Sequence, residues 1–462
     1  MRNLTLRNIT DACEGTYIGD PSFLDFEIDN VTTDSRVVSK DSLFIAIKGQ
    51  RVDGHDFIKK AFDLGALCCI SEKIMNDVTE PVIVVKSATQ ALKDIAAFYR
   101  SCLDIPVIGI TGSVGKTSTK EMLASVLSEK FTVLKTLKNF NNEIGLPQTL
   151  LRIRDNHEIA VVEMGINHFG EMTRLSKVAR PDVVVMTNVG PCHLENLIDL
   201  DGVLRAKSEV FDYMNPGGAV FLNGDEKPLS DVSEVNGKTP VFFGFNSGLD
   251  YYADEIIEDD NGLNCVLHNN EWELPVRINI PGRHMIYHAL TAAAIGRYFE
   301  LSDKQIANGI AKLEPVDGRN NRIIANGITI VDDCYNANPI SMKGSVDTLS
   351  KANCRKVCIL GDMFELGSEE KQLHYEVGSF VGERSIDLLI TVGELSENLA
   401  KGAADKNSDL EIISYKEKEA LLKELQLLIK EGDIVLLKAS HGMRFDTIVE
   451  LLRSPEFHPA SH

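Results

Sequence analysis

The chain has 462 residues, 44% of them apolar, and carries 68 acidic against 48 basic side chains for a formal net charge of -20. At roughly 150 residues per domain this is enough chain for about three cores. So large a negative charge, with no block of lysine and arginine to offset it, excludes general affinity for nucleic acid or an anionic membrane. Nine cysteines are scattered without paired metal-ligand spacing, and Cys68, Cys69, Cys265 and Cys358 lie inside apolar runs, as buried thiols of a reducing compartment do. Residues 1–11 are polar and alternating, unlike a signal peptide, and no run of about eighteen apolar residues exists for a membrane span. The expectation is a soluble cytoplasmic protein.

Residues 1–85 combine short alternating segments (26–31, 42–47, 81–85) with one helical stretch (56–64) and read as a small α/β domain. Its loops hold the polar cluster Thr33-Asp34-Ser35-Arg36 and the segment from Lys48 to Asp56. Such clusters serve either as solvated turns or as ligand-binding loops.

Helical periodicity over 88–100 opens a second domain, 86–314. There an apolar run at 105–110 leads into Thr111-Gly-Ser-Val-Gly-Lys-Thr-Ser118 and then a helical pattern at 120–129. Strand, glycine-rich turn and helix in that order make a phosphate loop. Gly112 and Gly115 let backbone amides face one anion, Lys116 brings a cation to the outer phosphates, and the Thr117 hydroxyl suits Mg²⁺. The general NTPase spacing would require glycine at position 110, where Ile110 stands, so this is the shorter Thr-Gly-x-x-Gly-Lys-Thr form. The chemistry therefore starts from a nucleoside triphosphate. Strand-like runs at 158–164, 182–187, 218–222 and 241–245 alternate with helical patterns and predict a doubly wound parallel sheet. Residues 251–280 break the alternation and predict an antiparallel flap, followed by helices at 283–299 and 303–312.

Three polar residues stand out in this domain. Glu163 ends an apolar strand, where a carboxylate either shares the loop's Mg²⁺ or simply meets solvent. His193, in Asn188-Val-Gly-Pro-Cys-His193-Leu-Glu195, reads on its own as a hydrogen-bonded loop histidine. Lys207, within the helical stretch 202–211, reads on its own as a solvated helix lysine. After a linker at 314–318, the third domain, 315–462, shows strands at 328–331, 356–360, 387–391, 410–413 and 433–437 and forms another open α/β sheet. Its segment Asp332-Asp333-Cys-Tyr-Asn336-Ala-Asn338-Pro339 closes a strand and opens a helix. The side chains there suit helix capping and base or ribose binding equally.

Taken together, the phosphate loop, Asn139-Phe-Asn141-Asn142-Glu-Ile-Gly-Leu-Pro147, Glu163-Met-Gly-Ile-Asn-His168, His193-Leu-Glu195, Ala206-Lys207, Tyr335-Asn-Ala-Asn-Pro339 and Gly361-Asp-Met-Phe-Glu-Leu-Gly367 resemble the Mur ligases of peptidoglycan synthesis. The resemblance covers essentially the whole chain. It implies a domain for a UDP-sugar, a central ATPase and a C-terminal domain that closes over both. The branch it resembles most joins D-alanyl-D-alanine to UDP-N-acetylmuramoyl-tripeptide, with no nucleic acid or membrane partner and a monomeric chain. By the same resemblance Lys207 is carbamylated and binds Mg²⁺ with His193, while Thr117 and Glu163 hold the other ion. ATP is contacted by Gly112, Ser113, Gly115, Lys116, Thr117, Ser118, His284, Arg319, Asp333, Asn336 and Asn338. The nucleotide-sugar substrate is contacted by Asp34, Ser35, Arg36, Lys48, Asn141 and Asn142. The pattern departs from the family at Met285 and His288, where asparagine is usual, and at Lys138, Cys334 and His441. A folylpolyglutamate synthase would begin close to its phosphate loop. The Mur ligase that adds diaminopimelate or lysine would carry Asp-Asn-Pro-Arg, which is absent here. A non-catalytic nucleotide-gated binding protein would have no need of a second metal.

Overall fold

The computed structural model describes residues 1–75, 78–259 and 261–460. They form three α/β units, each built on its own sheet of five, nine or six strands, the three-domain architecture expected from the sequence. In the first unit the parallel strands Asn30–Thr32, Ser42–Ile45, Ala66–Ser71 and Val82–Val84 lie side by side, and Thr16–Ile18 closes one edge antiparallel to Val82–Val84. The helix Ala88–Ser101 follows. Ser87 caps it by accepting the Gln90 amide, and its stripe Leu92, Ile95, Ala96 and Tyr99 is buried. Tyr99 donates to the Ile153 carbonyl at 2.7 Å and Arg100 pairs with Asp182 at 2.9 Å, which fastens this helix to the central unit.

The central sheet places Val107–Thr111 between Val183–Met186 and Ile159–Glu163, all parallel. Both faces of these strands are covered by helices, and all five residues of Val107–Thr111 are buried. That explains a continuous apolar run rather than an alternating one. Each buried isoleucine or valine there contributes about 1.5–3 kcal/mol relative to exposure. The strand ends are thereby held firmly, and the loops beyond them inherit that rigidity. The expected flap is three antiparallel strands, Tyr251–Asp259, Gly262–Asn269 and Trp272–Ile278, but it is no separate appendage. Tyr251 and Tyr252 pair in parallel with Phe243 and Gly244, so the three strands extend the main sheet. The open backbone edge of Val241–Gly244 is what they satisfy. Their inner residues Cys265, Leu267, Val276 and Ile278 join the same core as the helix Met285–Tyr298.

In the third unit five parallel strands, Ile328–Asp332, Ile434–Lys438, Lys356–Gly361, Leu388–Val392 and Glu411–Tyr415, carry one antiparallel edge strand, Asn321–Ala325. That edge strand, absent from the pattern reading, forms a hairpin through Asn326-Gly327, both at positive φ (51° and 76°). Two such residues give the turn whose twist matches antiparallel strands.

Candidate active site

The phosphate loop lies where the sheet is most rigid, between the strand Val107–Thr111 and the helix Lys116–Leu127. Gly112 has φ +141°, and a Cβ there would lie 2.0 Å from Thr187 Oγ1; at Gly115, φ +81°, a Cβ would lie 2.8 Å from the His288 ring. Both positions therefore require glycine. The first intrahelical bond runs from Thr119 N to the Gly115 carbonyl at 2.8 Å. The amides of Lys116, Thr117 and Ser118 precede it and have no intrahelical acceptor, which makes an anion-binding helix start. Asn188 holds the preceding turn in shape: its Oδ1 accepts the amides of Ser113 and Val114 at 3.0 and 2.8 Å.

Two lysines converge on one carbonyl. Lys116 Nζ donates to Gly112 O at 2.6 Å, and Lys207 Nζ, from the helix Leu200–Ser208, donates to the same oxygen at 3.1 Å. Lys207 is only 2% exposed, so the solvated-helix alternative for this residue is overturned: the helix turns it toward the loop. Burial holds its ammonium below the ordinary lysine range. Burial, followed by the neighbouring Lys207 charge, pushes Lys116 down to about 8.

Glu163 is also buried, at 1% exposure. Its Oε2 accepts from Thr117 Oγ1 at 3.3 Å, while Oε1 makes no hydrogen bond and meets only the Lys120 ammonium, 3.1 Å away. Two adjacent hard oxygen donors, one with an unused lone pair, fit Mg²⁺. Among the described residues no group of three or more His, Cys, Asp or Glu is placed to hold a metal alone. Such an ion would complete its shell with phosphate oxygens and water, as Mg²⁺ usually does.

The third unit closes over this centre. Arg319 donates to Thr117 Oγ1 at 3.2 Å while its guanidinium lies 4.0 Å above the Tyr335 ring. Glu365 meets His193 Nδ1 at 2.5 Å, Asn320 donates to the Pro281 carbonyl at 3.0 Å, and Lys351 pairs with Glu258 at 2.9 Å. Between the units lies a cavity of about 820 Å³ lined by residues of the phosphate loop, by Asn141, Asn142, Glu163 and His193, and by His284, Arg319, Asp333, Asn336 and Asn338. Asn338 caps the helix Pro339–Ser350 by accepting Ser341 N at 2.9 Å. Asp333 binds Lys438 at 2.6 Å and accepts from Ser345 at 2.5 Å and from the Asn320 amide at 3.2 Å. Asn142 Oδ1 accepts the amides of Ile144 and Gly145 at 3.2 and 2.9 Å and so shapes the turn before the helix Gly145–Leu150.

Asp34, Ser35, Arg36 and Lys48 do not line this cavity. Asp34 and Arg36 form a fork at 2.7 Å, Lys48 is exposed, and Thr33 accepts from Gln148 at 3.2 Å. The polar turn thus stands behind the helix that follows Asn141 and Asn142. Three groups carry no role in the sequence reading: Asn188, Lys120 and Glu365. His288, at a departure from the family pattern, is buried beneath the loop, shares a 2.8 Å hydrogen bond with Thr119 and is pushed down to about 3 by burial, so it is neutral.

A phosphate loop whose cleft is closed by a following α/β domain defines a nucleotide-binding protein of three α/β units. Residues 27–100 match the description "Mur ligase family, catalytic domain", 110–296 "Mur ligase middle domain" and 318–441 "Mur ligase, glutamate ligase domain". The UDP-N-acetylmuramoyl-tripeptide--D-alanyl-D-alanine ligase of Bacillus subtilis is 35% identical over 98% of this chain and 99% of its own. The crystal structure of MurF from Acinetobacter baumannii superposes with a TM-score of 0.88 at 30% identity, over 97% of this chain and 98% of that one. MurF of Thermotoga maritima, solved with ADP, gives 0.81 at 29% identity over 92% and 97%. The chain belongs to the Mur ligase family.

Proposed function

We propose that the chain joins D-alanyl-D-alanine to UDP-N-acetylmuramoyl-tripeptide with ATP, through an acyl phosphate, in peptidoglycan precursor synthesis. The observation that carries this reading is the convergence of Lys116 and Lys207 on Gly112 O beside the Thr117–Glu163 pair. A peptide carboxylate is a poor acyl donor, because its leaving group would be oxide. Attack of that carboxylate on the γ-phosphate forms an O–P bond and releases ADP, while Lys116 stabilises the charge gathering on the leaving oxygens. The dipeptide's neutral amine then attacks the acyl carbon; phosphate leaves and the nitrogen releases a proton as the amide bond forms.

Mg²⁺ bound by Thr117 and Glu163, and a second ion bound by His193 and carbamylated Lys207, would neutralise charge on the phosphoryl and acyl oxygens. Carbamylation requires a neutral amine: its lone pair forms the N–C bond to CO₂, and a proton is released. The lowered proton affinity of Lys207, caused by burial, supports this. Residues 1–85 serve as the UDP-sugar domain through Asp34, Ser35, Arg36 and Lys48, residues 86–314 as the ATP domain and residues 315–462 as the closing domain. Asn141 and Asn142, which line the cavity, contact the same nucleotide-sugar substrate. His284, Arg319, Asp333, Asn336 and Asn338 form the wall against the nucleotide, with Asp333 orienting Lys438. Closure excludes water that would hydrolyse the acyl phosphate. The enzyme acts as a cytoplasmic monomer in this reading. No helix among the described residues is long and apolar enough to cross a membrane, and all nine cysteines are free thiols.

Incubation with ATP, Mg²⁺, UDP-N-acetylmuramoyl-tripeptide and D-alanyl-D-alanine should yield pentapeptide and phosphate in equal amounts. Phosphate release indifferent to both peptide substrates would overturn the proposal.

A further inference from the structure

We infer that Glu365 is a positioning residue that fixes His193 for its ligand role, and that it reaches His193 only when the C-terminal domain is closed. This deepens the reading of His193 as a metal ligand and rests on it.

Three observations support the inference. The first is the contact itself: Glu365 Oε2 and His193 Nδ1 are 2.5 Å apart across the domain boundary, and a second tie joins Glu195 N to Glu365 O at 3.4 Å. The second is backbone conformation. His193 and Glu365 both occupy the left-handed region, at φ +53° and +64°, a conformation that costs a residue with a Cβ and persists only where surrounding structure imposes it. The third is the scaffold beneath Glu365. Asp362 Oδ1 accepts the Ser396 amide and hydroxyl at 2.8 and 2.7 Å, and Asp362 O accepts Ser440 N at 3.0 Å. Met363 N donates to His374 Nε2 at 2.9 Å, and Phe364 N donates to Ser440 Oγ at 2.8 Å. Every residue from 362 to 364 is thus tied down, and the next side chain is presented to the other domain.

The chemistry follows from the two ring nitrogens. An ionised carboxylate only accepts hydrogen bonds, so it selects the tautomer with hydrogen on Nδ1 and leaves the Nε2 lone pair free. A carboxylate on Nδ1–H also orients the ring and makes Nε2 a stronger donor to a cation. Because the two partners come from different domains, an open enzyme lacks this constraint. Closure then both excludes water and completes the second metal site, so the acyl phosphate forms only where it is protected. An ordinary interdomain ion pair would hold the domains together without setting the tautomer, and that difference can be measured.

The test uses the full chain with ring-¹⁵N-labelled histidine and bound ADP, with the His193 resonance assigned by its loss in His193→Gln. The wild type should show hydrogen on Nδ1. In Glu365→Ala that preference should disappear, the second Mn²⁺ ion titrated by electron paramagnetic resonance should bind at least about tenfold more weakly, and kcat should fall with the KM for ATP within about twofold of wild type. Glu365→Gln should restore the tautomer, since its amide oxygen accepts the same hydrogen. A Glu365→Ala protein in which either the tautomer or the Mn²⁺ affinity stays as in wild type overturns the inference. A His193→Ala protein that keeps the second Mn²⁺ at full affinity overturns the ligand role of His193 instead, and the tautomer measurement tells the two failures apart.

Discussion

Lys120 and Lys207 are both 2% exposed, both on helices of the central domain, and both close to the phosphate loop. Their surroundings are opposite. Lys120 lies between two carboxylates, Glu121 at 2.9 Å and Glu163 at 3.1 Å, and donates to the Thr136 carbonyl at 2.9 Å. Lys207 has no carboxylate within ion-pair distance among the described residues; it donates to the Gly112 carbonyl, which it shares with the Lys116 ammonium. A buried cation must be paired or must give up its proton more readily. The fold therefore makes one lysine a fixed counter-ion for Glu163 and leaves the other available as an amine. Equal burial thus prepares the two residues for unrelated tasks.

Removing the amine should have the largest effect. Lys207→Ala is expected to lower kcat on the order of 10³-fold, comparable to losing a preorganised electrostatic group. Wild-type activity should fall in CO₂-depleted buffer and recover with bicarbonate, whereas the residual activity of Lys207→Ala should ignore bicarbonate. Full activity in Lys207→Ala would erase the distinction between the two lysines.

Removing the counter-ion should act on stability first. Lys120→Met leaves Glu163 charged, buried and short of its partner, a loss of about 3 kcal/mol. Trp272, the only tryptophan, lies in the central sheet, so its fluorescence during urea unfolding reports the domain concerned. Combining Lys120→Met with Glu163→Gln should recover much of the loss. Equal losses in the single and double variants would show that the pair is not coupled.

Lys116 is the intermediate case, with its proton affinity pushed down to about 8. ATP favours the charged form, so affinity is full below that value and declines above it, by about tenfold per pH unit at most. In CO₂-depleted buffer, where Lys207 stays an amine, the KM for ATP measured from pH 7 to 9.5 should rise accordingly, and Lys116→Arg should flatten the profile. A wild-type profile flat across this window would place the Lys116 proton elsewhere.

The contrast also explains what the sequence disclosed. The phosphate loop was legible because Gly112, Gly115, Lys116 and Thr117 act through local geometry in one strand–turn–helix. The three sheets were legible because strands such as Val107–Thr111 lie on apolar runs. Lys207 was not legible from its helix alone, since the partner that decides its environment, Gly112, is 95 residues away in the chain. Lys120 looked like any lysine in a helix because Glu163 reaches it only through the sheet. Glu365 was quoted within a motif, but its role depends on a contact with His193 across a domain boundary, which no local pattern encodes. Asn326-Gly327 is different in kind: a recognisable hairpin turn whose first strand, Asn321–Ala325, has no buried residue and one exposed isoleucine, Ile324, and so too weak a pattern to be found.

The smallest effect is expected at Asp34 and Arg36, where an ion pair forms at the surface. Hydrogen bonds from Arg36 push the Asp34 carboxyl down to about 2, but the Arg36 side chain is 82% exposed, and solvent screens such a pair. A lowered carboxylate contributes stability above its unfolded value, near 3.8, which is lost as pH falls toward about 2. Asp34→Asn should therefore lower the thermal midpoint at pH 7 only slightly, and even that difference should vanish as the pH falls from about 4 toward about 2. If this turn holds the UDP-sugar, the same variant should raise the KM for that substrate several-fold with kcat unaltered, the signature of binding lost equally in ground and transition states. A variant with both parameters unchanged would return the Thr33–Arg36 turn to the solvated alternative. It would also confine the recognised substrate to the cavity between the central and third units.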